Sequence, residues 1–513
     1  MSRHTRVFKC LGGLMVGVLL VACQTVPVTG TPSTKVVERA TPGVASPPEV
    51  EAPVLWDGLG HEDALVPMPN TAGKAAHKAA PSPKSASLWG RLRGGMGIEP
   101  LQGVAQERMT VHEAWYLQRP EHLRRVFERA RPYLFDIVEE VQAAGLPMEV
   151  ALLPAVESAF VPKAVSSAQA DGLWQFMAPT AARFELRRNL FLDERRSPQA
   201  ATRAALRYLV LLRERYGGDM QLALAAYNCG EGCVDAHIRR ARAKGLAGRF
   251  EDLQLNTETA QYVPRLMALC KVVADAVDSE TLEAVGLPDV PNVRTVRRLA
   301  LQRDMDKALV ARLAGVSLAE LEALNPQHHK PLLVASAGHG VVLPEDKATR
   351  FEQALLQHKG PWASWTVHRV RRNTTVEAIA RAQGCDAAAI RWVNKIAPGH
   401  LVVAGSTVLV PRVQRWDDVA EAQLQQAVLR TMPAMTVVRI KVRKGWSWRD
   451  VTRAVNAKGG PVVEGELRSA NSTVKLRPGW LRLRVPAPGA SKRLVQTVPL
   501  ALPGLDEQGV RHA

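Results

Sequence analysis

Between residues 120 and 276, apolar side chains recur at the spacing of an α-helix, and no alternating strand pattern interrupts them. The apolar residues of one such stretch stand at i, i+3, i+4 and i+7: Leu134, Ile137, Val138 and Val141. This spacing places them on one face of a helix, which must be buried against other helices. The pattern therefore predicts an all-α region.

Start signals divide this region into separate helices. Ser197-Pro198 predicts an N-cap followed by a first helical residue, and Asp219 and Thr257 predict the N-caps of two later helices. Pro147 suits the first turn of the helix that carries Glu157.

Glu157 is the residue that fits this pattern least well. It follows Leu153 by four residues and Val150 by seven, so a helix would place its carboxyl group on the apolar face, where an unpaired charge is costly. Burial there, near a helix C-terminus, predicts a raised pKa for Glu157. A carboxyl group with a pKa near neutrality suits general acid and base catalysis. The alternative is a Glu that ends a helix and points to solvent.

The C-terminal part of the chain contains a repeat. Gly315 and Gly384 occupy matching positions, and each is followed ten residues later by an asparagine, Asn325 or Asn394. A third, weaker copy contains Asn471. The pattern of each unit predicts a strand, two short helices and a second strand within about 50 residues. The first copy lacks a clear opening strand.

The N-terminus predicts export and anchoring. Residues 1–22 combine a basic start with an apolar run that is too short to span a bilayer permanently. The run ends in "LVAC", which resembles a bacterial lipobox, so Cys23 is the expected site of lipidation. Gln24 after this cysteine favours the outer membrane, facing the periplasm. A plain secretory signal with a chance cysteine is the alternative.

The net charge of +18 at pH 7 favours an anionic partner, such as nucleic acid, a membrane surface or the cell wall. The basic residues are scattered and form no long block, which favours a solvated Arg-rich surface over nucleic-acid binding. The cysteines show no zinc-ligand spacing, so no metal is expected. Cys229 and Cys233 flank two glycines, and a loop there after Asn228 would permit a disulfide in an oxidising compartment. A pair of buried thiols is equally compatible with the sequence.

Four motifs occur in order: "ES" at 157–158, "GLWQ" at 172–175, "AYNCG" at 226–230 and "ETAQYV" at 258–263. They resemble the signature motifs of the soluble-lytic-transglycosylase domain, a lysozyme-like helical fold. The C-terminal repeats resemble LysM peptidoglycan-binding modules. With the lipobox and tether, the chain resembles the membrane-bound lytic murein transglycosylase D family.

This resemblance implies cleavage of the β-1,4 bond between N-acetylmuramic acid and N-acetylglucosamine. The muramyl 6-hydroxyl attacks C1 and forms a 1,6-anhydro end, so no water and no second carboxylate are required. Glu157 matches the family's acid, and no cofactor is implied. The substrate-binding residues carried over from the family are Ser166, Gln175, Tyr227, Asn228 and Tyr262. Each of these also fits a structural role in capping or packing helices.

Trp174 stands where the family usually has Met, and we expect it to reshape one wall of the sugar groove. Two other functions remain compatible with the sequence. A goose-type lysozyme shares the fold but hydrolyses, and it would need a water-positioning carboxylate such as Asp171, Asp193 or Glu185. A non-catalytic peptidoglycan-binding scaffold is the second alternative.

The sequence therefore predicts a multidomain chain with an all-α lysozyme-like catalytic domain followed by small α+β (βααβ) LysM modules. Its partners are peptidoglycan glycan strands and a membrane, with no nucleic acid, and the sequence identifies no protein partner. The expected segments are a lipoprotein signal peptide (1–22), a lipidated cysteine and disordered tether (23–85), N-terminal helices of the catalytic region (86–145), the lytic transglycosylase domain (146–280), a degenerate LysM-like repeat (295–355), a LysM unit (365–412), a divergent LysM unit (437–487) and a tail (488–513).

Overall fold

A computed structural model describes residues 87–413, 417–458 and 462–487. The predicted signal peptide, the lipidation site Cys23, the tether up to residue 85 and the tail from residue 488 lie outside the described residues.

The N-terminal region is helical, as the sequence predicts. Its α-helices are α1 Leu88–Gly94, α2 Gly103–Leu117, α3 Pro120–Ala130, α4 Leu134–Ala143, α5 Leu153–Ser158, α6 Ala178–Arg183, α7 Pro198–Arg215, α8 Met220–Cys229, α9 Glu231–Arg242, α10 Thr257–Asp275 and α11 Ser279–Ala284. Short 3₁₀ turns occupy Met148–Leu152, Glu194–Arg196 and Phe250–Asp252.

A single apolar core joins these helices, from Leu88 to Val290. The predicted apolar face of α4 lies within it, and Trp89 packs edge-on against Phe127 with ring centroids 5.0 Å apart. Residues 86–145 and 146–280, which the sequence analysis treats separately, therefore share one core from residue 88 onward.

Two of the four predicted helix starts, those at Ser197 and Asp219, are confirmed by the structure. The Ser197 side chain accepts from the backbone N–H of Ala200 at 3.3 Å, and Asp219 caps α8 in the same way. The prediction for Thr257 is wrong by one residue, because Asn256 is the N-cap of α10. Pro147 precedes the 3₁₀ turn Met148–Leu152 and not the α-helix that carries the candidate acid, so that prediction is also wrong.

The C-terminal half alternates strands and helices. Its strands are β1 Val296–Leu299, β2 Met305–Asp306, β3 Leu332–Leu333, β4 Val341–Pro344, β5 Trp365–Arg369, β6 Thr374–Thr375, β7 His400–Val402, β8 Thr407–Pro411, β9 Thr431–Pro433, β10 Met435–Val442 and β11 Gly479–Pro486. Its helices are α12 Lys307–Ala314, α13 Leu318–Leu324, α14 Glu345–Gln357, α15 Val376–Gln383, α16 Ala387–Asn394, α17 Glu421–Gln425, α18 Trp448–Asn456 and α19 Glu464–Ala470.

In each of the three units, the opening strand pairs antiparallel with the closing one: β1 with β4, β5 with β8, and β10 with β11. The first unit therefore has an opening strand, although its sequence showed no clear one. That strand is only four residues long and is interrupted by arginines, which explains why its apolar signal is weak.

The three repeat asparagines make equivalent hydrogen bonds. The Asn394 amide donates to the carbonyl oxygens of Ile390 (2.8 Å) and Leu409 (2.7 Å) and accepts from the backbone N–H of Leu409 (2.9 Å). Asn325 and Asn471 do the same in their own units. Each asparagine thus ties the second helix of its unit to the closing strand, which gives the sequence repeat a structural cause.

The second unit packs on the helical region. Phe191 and Leu192, which precede α7, belong to one apolar cluster with residues of the first and second units and of the segments that flank the second unit: Leu332, Val334, Ala337, Ala363, Trp365, Val393, Leu409, Val419, Leu424 and Ala427. The backbone N–H of Leu190 also donates to the carbonyl oxygen of Ala427 at 3.0 Å. The third unit has a separate apolar cluster made of residues 438–485.

Candidate active site

Glu157 is the penultimate residue of α5, and its position is held from two sides. The hydroxyl of Ser158 reaches the carbonyl oxygens of Pro154 at 3.0 Å and Leu173 at 2.9 Å, which ties the helix end to the following loop. The guanidinium of Arg129 donates to the carbonyl oxygen of Ala159 at 2.9 Å. These contacts satisfy backbone acceptors at the C-terminal end of the helix that carries Glu157.

The Glu157 carboxyl group is partly buried and accepts a hydrogen bond at Oε1 from the hydroxyl of Tyr262. Burial raises the pKa of Glu157 to about 7, and the Tyr262 hydrogen bond opposes this rise because it favours the carboxylate. The charge of Glu258 raises the pKa further, and the charge of Arg265 lowers it. The carboxyl group can therefore gain and lose a proton near neutral pH.

Glu258 is therefore a second carboxylate whose charge acts on Glu157. The sequence had not predicted this pair. Glu258 accepts from the Asn228 amide at 3.4 Å, and the hydroxyl of Thr259 donates to Oδ1 of Asn228 at 2.8 Å. Asn228 therefore stands between the ends of α8 and α10. The sequence signal was present, because Glu258 opens the "ETAQYV" motif.

Two tyrosines flank the acid. Burial raises the pKa values of Tyr227 and Tyr262 well above the usual range, and the charge of Glu157 adds to both shifts. Both hydroxyls therefore remain protonated donors. Tyr262 donates to Glu157, whereas Tyr227 donates to the carbonyl oxygen of Trp174 at 2.9 Å.

Gln175 and Ser166 belong to the loop between α5 and α6. The Gln175 amide donates to the carbonyl oxygens of Gly172 at 2.8 Å and Ala164 at 3.2 Å, and Ser166 accepts from the backbone N–H of Ala170 at 3.0 Å. These bonds hold the loop in shape. Gln175 follows Trp174, whose carbonyl oxygen accepts from Tyr227. No described contact joins Ser166 to Glu157.

Backbone strain concentrates in the same segment. Within the described ranges, the non-glycine residues with a positive φ are Ala159, Phe160, Gln169, Gln175, Glu185 and Lys395. All but Lys395 lie between residues 159 and 185. L-residues adopt this conformation at a cost in free energy, and such residues cluster at functional sites.

The expectation for Trp174 is wrong. Its side chain is fully buried, and its indole N–H donates to the hydroxyl of Thr202 at 2.9 Å. The ring therefore packs in the protein core and cannot form a wall of a sugar groove.

Two of the three carboxylates considered for a hydrolase are neutralised by arginines. Asp171 is bound in a bidentate manner by Arg196, at 2.8 and 2.9 Å, and is 3.3 Å from Arg195. Asp193 pairs with Arg195 at 2.8 Å. Burial alone would raise the pKa of Asp193, but the hydrogen bonds and charge of Arg195 lower it. Glu185 is exposed. The two aspartates therefore bind arginines that hold the strained loop.

The structure joins Cys229 and Cys233 in a disulfide, with their Cα atoms 5.9 Å apart. The sequence predicts a loop after Asn228, and in the structure α8 ends one residue later. The helix continues to Cys229, only Gly230 interrupts it, and Gly232 already belongs to α9. Gly230 has a φ of +88°, which turns the chain sharply enough to bring the two sulfur atoms together.

Over the described ranges, no cluster of three or more His, Cys, Asp or Glu side chains has the arrangement of a metal site. In the same part of the chain, no helix has both the length and the apolar character needed to cross a bilayer.

Two family models match the chain in order. The model described as Transglycosylase SLT domain matches residues 137–248, and the model described as Lytic transglycosylase MltD, LysM-like domain matches residues 295–360. The first contains Glu157, Gln175 and Asn228, and the second covers the first strand–helix unit.

The chain is also similar to known proteins. The chain is 29% identical over 401 residues to the membrane-bound lytic murein transglycosylase D of Escherichia coli (strain K12), covering 75% of this chain and 83% of the relative. The protein of the same name from Escherichia coli O6:H1 matches to the same extent. Among solved structures, the lytic transglycosylase Slt of Pseudomonas aeruginosa matches with 24% identity and a TM-score of 0.23, covering 30% of this chain and 24% of that one. The chain therefore contains a transglycosylase SLT domain followed by an MltD-type LysM-like domain, and over 75% of its length it is similar to membrane-bound lytic murein transglycosylase D.

Proposed function

We propose that this protein is a peptidoglycan lytic transglycosylase in which Glu157 serves first as general acid and then as general base. The observation that carries this assignment is a carboxyl group whose pKa is raised to about 7 and whose Oε1 is held by Tyr262. A group that must donate a proton and then recover one works best when its pKa lies near the working pH.

In the first step, Glu157 transfers its proton to the oxygen of the β-1,4 glycosidic bond, and the bond from that oxygen to C1 of N-acetylmuramic acid breaks. In the second step, the 6-hydroxyl oxygen of the same sugar forms a bond to C1, and its proton passes to Glu157. The enzyme regains its starting protonation state, and no water is consumed. The product is a 1,6-anhydromuramyl end.

Tyr262 determines which carboxyl oxygen carries the proton. Because its hydroxyl donates to Oε1, that oxygen is an acceptor, and the proton is carried on Oε2. Oε2 is then the atom that faces the glycosidic oxygen. Tyr262 also stabilises the carboxylate that forms when the proton leaves.

The remaining site residues are proposed to hold the sugars. Ser166 is assigned to the N-acetyl group, Gln175 and Asn228 to the polar lining of the groove, and Tyr227 to the position beside the acid. Gln175 uses its amide N–H groups within the loop, which leaves its side-chain oxygen to accept from a sugar.

Hydrolysis is the competing reaction, and it differs in the carboxylates that it requires. A hydrolase needs a second carboxylate to position water. Asp171 and Asp193 are bound by arginines, and Glu258, whose charge acts on Glu157, accepts from the Asn228 amide. These pairings favour attack by the substrate's own hydroxyl.

The C-terminal units are proposed to be βααβ LysM modules that hold the enzyme on glycan strands, within segments 295–355, 365–412 and 437–487. We further propose that Cys23 is lipidated and anchors the protein to the outer membrane, with residues 24–85 as a tether. Tethering raises the concentration of the catalytic domain near the wall without a new contact.

Digestion of purified sacculi followed by mass spectrometry tests the function. Glu157→Gln should abolish muropeptides that are lighter by one water, while the fold and wall binding remain, because the amide keeps the shape of the side chain but cannot cycle a proton. Glu214→Gln is the matched control, since Glu214 is exposed on α7 and should leave the products unchanged. Turnover near the wild-type rate in Glu157→Gln would contradict the assignment, and products with reducing ends would favour hydrolysis.

A further inference from the structure

The third strand–helix unit carries half of the net charge of the chain. Residues 435–486 contain twelve Lys and Arg but only three Asp and Glu, which gives this unit a net charge of +9 out of the +18 of the whole chain. The first unit, residues 295–355, contains eight basic and seven acidic residues and is nearly neutral. The positive charge is therefore concentrated in the last unit of the described chain.

Much of this charge lies on one face of the ribbon that β10 and β11 form. Side chains alternate along the two strands, so every second residue points away from the core. The inward residues pack with apolar residues of α18 and α19. The exposed surface on the other side, the ribbon face, consists of Val437, Arg439, Lys441, Trp480, Arg482 and Arg484.

The register of the strands brings like charges together on the ribbon face. Arg439 lies directly opposite Arg482. Lys441 lies opposite Trp480, and Arg484 lies opposite an apolar residue, so no cation of this face is paired with an acid across the strands. Like charges that oppose each other on a sheet weaken the pairing. A partner that supplies negative charge would remove this cost.

The acidic residues of the unit do not neutralise the ribbon face. Asp450 pairs with Arg453 of the same helix at 3.6 Å. Glu464 and Glu466 belong to α19, which packs against the inner side of the ribbon. In the described part of the chain, none of the four cations of the ribbon face takes part in an ion pair. The face therefore presents uncompensated positive charge to its surroundings.

Two exposed apolar side chains share the ribbon face with these cations. Trp480 is 57% exposed, and Val437 is 60% exposed. The guanidinium of Arg439 and the ammonium of Lys458 lie over the Trp480 ring, 5.3 and 5.9 Å from its centroid, and hold the ring beside the charges. An anionic polymer in water would neutralise the cations but would leave Val437 in water. The mixture indicates a partner that is anionic at its surface and apolar beneath it.

From these observations we propose that the ribbon face binds the surface of an anionic phospholipid membrane. The cations contact the lipid phosphates, and Trp480 and Val437 enter the boundary between the headgroups and the acyl chains. Trp, Arg and Lys are suited to this boundary because each combines an apolar body with a polar end. Apolar burial and attraction to anionic lipid then add to each other.

This contact goes beyond the proposed function and does not depend on it. It uses the side of the ribbon that faces away from α18 and α19, so the helical side of the unit stays available to glycan. Together with a lipid anchor at Cys23, the ribbon face would give the chain two membrane attachments. Each attachment raises the effective concentration of the other at the membrane.

Vesicle binding is measured with the chain that lacks residues 1–23, which retains every described residue and removes the signal peptide and the lipidation site. The vesicles contain phosphatidylcholine and phosphatidylglycerol in equal parts, or phosphatidylcholine alone, and co-sedimentation gives the partition coefficient. The chain should bind the anionic vesicles and not the neutral ones. Added salt should weaken this binding, because ions screen exposed charges.

Substitutions on the ribbon face test which residues are responsible. Arg482→Gln with Arg484→Gln should weaken binding to the anionic vesicles by about 25-fold, because each basic residue near an anionic surface contributes about 5-fold. Trp480→Ala should also weaken it. Arg239→Gln with Arg240→Gln is the matched control, since it removes the same charge from the exposed end of α9 and should bind as the parent does.

The opposed arginines allow binding to be separated from folding. Arg482→Gln alone removes the repulsion with Arg439, so it should leave the melting temperature unchanged or raise it. The same variant should bind the anionic vesicles about 5-fold more weakly. A lower melting temperature together with weaker binding would mean that Arg482 supports the fold, and it would overturn the proposal.

Other outcomes would also overturn it. These are equal binding to neutral and anionic vesicles, and unchanged binding in Arg482→Gln with Arg484→Gln. Duplex DNA or soluble glycan fragments whose binding depends on the two arginines as strongly as vesicle binding does would make the ribbon face a general polyanion site. Failure of the proposed function would appear separately, as the absence of anhydro products, because vesicle binding involves no cleavage.

Discussion

Tyr262→Phe should move the pH dependence of cleavage to higher pH. The variant removes one oxygen, the one that donates to Oε1 of Glu157. That hydrogen bond favours the carboxylate and therefore lowers the pKa of Glu157, so its loss must raise the pKa above about 7.

The magnitude follows from the strength of the bond. A hydrogen bond to a charged group contributes about 1.5–3 kcal/mol, and one pKa unit corresponds to about 1.4 kcal/mol. Because Glu157 is only partly buried, we take the lower end and expect a rise of about one unit. Glu157 must be protonated to begin the reaction, so activity is full below its pKa and falls as the pH rises through it. The descending limb should move up by about one unit.

The assay is kcat/KM for anhydro product formation between about pH 6 and about pH 9, one unit outside the two descending limbs, together with a carbon-13 titration of the Glu157 carboxyl group. Tyr227→Phe is the matched control, because it loses the same atom but its hydroxyl donates to the carbonyl oxygen of Trp174. Glu258→Gln should move the limb the other way, since the charge of Glu258 raises the pKa of Glu157. A limb that stays in place or moves down in Tyr262→Phe would refute the reasoning.

Other expected outcomes concern the modules and the cysteines. Removing residues 435–487 should weaken retention on purified peptidoglycan and spare cleavage of short soluble glycans, because the third unit has its own core; equal pelleting with sacculi would contradict a wall-binding role. Removing 365–487 should also lower the melting temperature, because it uncovers Phe191 and Leu192, and an unchanged melting temperature would argue against this docking. Asn394→Ala should cost about 1–3 kcal/mol in the free energy of unfolding, because it leaves the backbone groups of Leu409 without their side-chain partner; denaturant titration against the exposed control Gln353→Ala measures it. Thiol labelling of the unreduced, denatured protein should miss Cys229 and Cys233 until a reductant is added, and labelling of both beforehand would support free thiols.

Much of the fold could be predicted from local sequence. The helical period of residues 120–276 and the caps Ser197 and Asp219 depend on spacing and side-chain chemistry alone, and these hold in the structure. The asparagine at the same position of each repeat also identified the three units. The errors at Thr257 and Pro147 are of one kind, because neighbouring residues compete for the same cap or turn and local sequence does not decide between them.

The docking of the second unit on the helical region could not be predicted. No local sequence pattern marks Phe191 and Leu192 as a docking surface, and only the tertiary structure shows that they pack against residues far along the chain. The side-chain direction of Trp174 is a similar case. Its motif placed it beside the site, but the hydrogen bond to Thr202 directs it into the core.

The sequence by itself determined that a glutamate would occupy an apolar helix face, but tertiary structure decided what that glutamate can do. Glu149 lies on the same segment and is more deeply buried, yet it accepts from the backbone N–H groups of Gly97 at 2.9 Å and Ile98 at 2.8 Å, so it fastens the chain. Glu157 accepts from the hydroxyl of Tyr262, a residue 105 positions away, and keeps a second oxygen for a substrate. Local spacing determines which face a side chain occupies, whereas the donors it meets come from distant segments that only the folded core brings together.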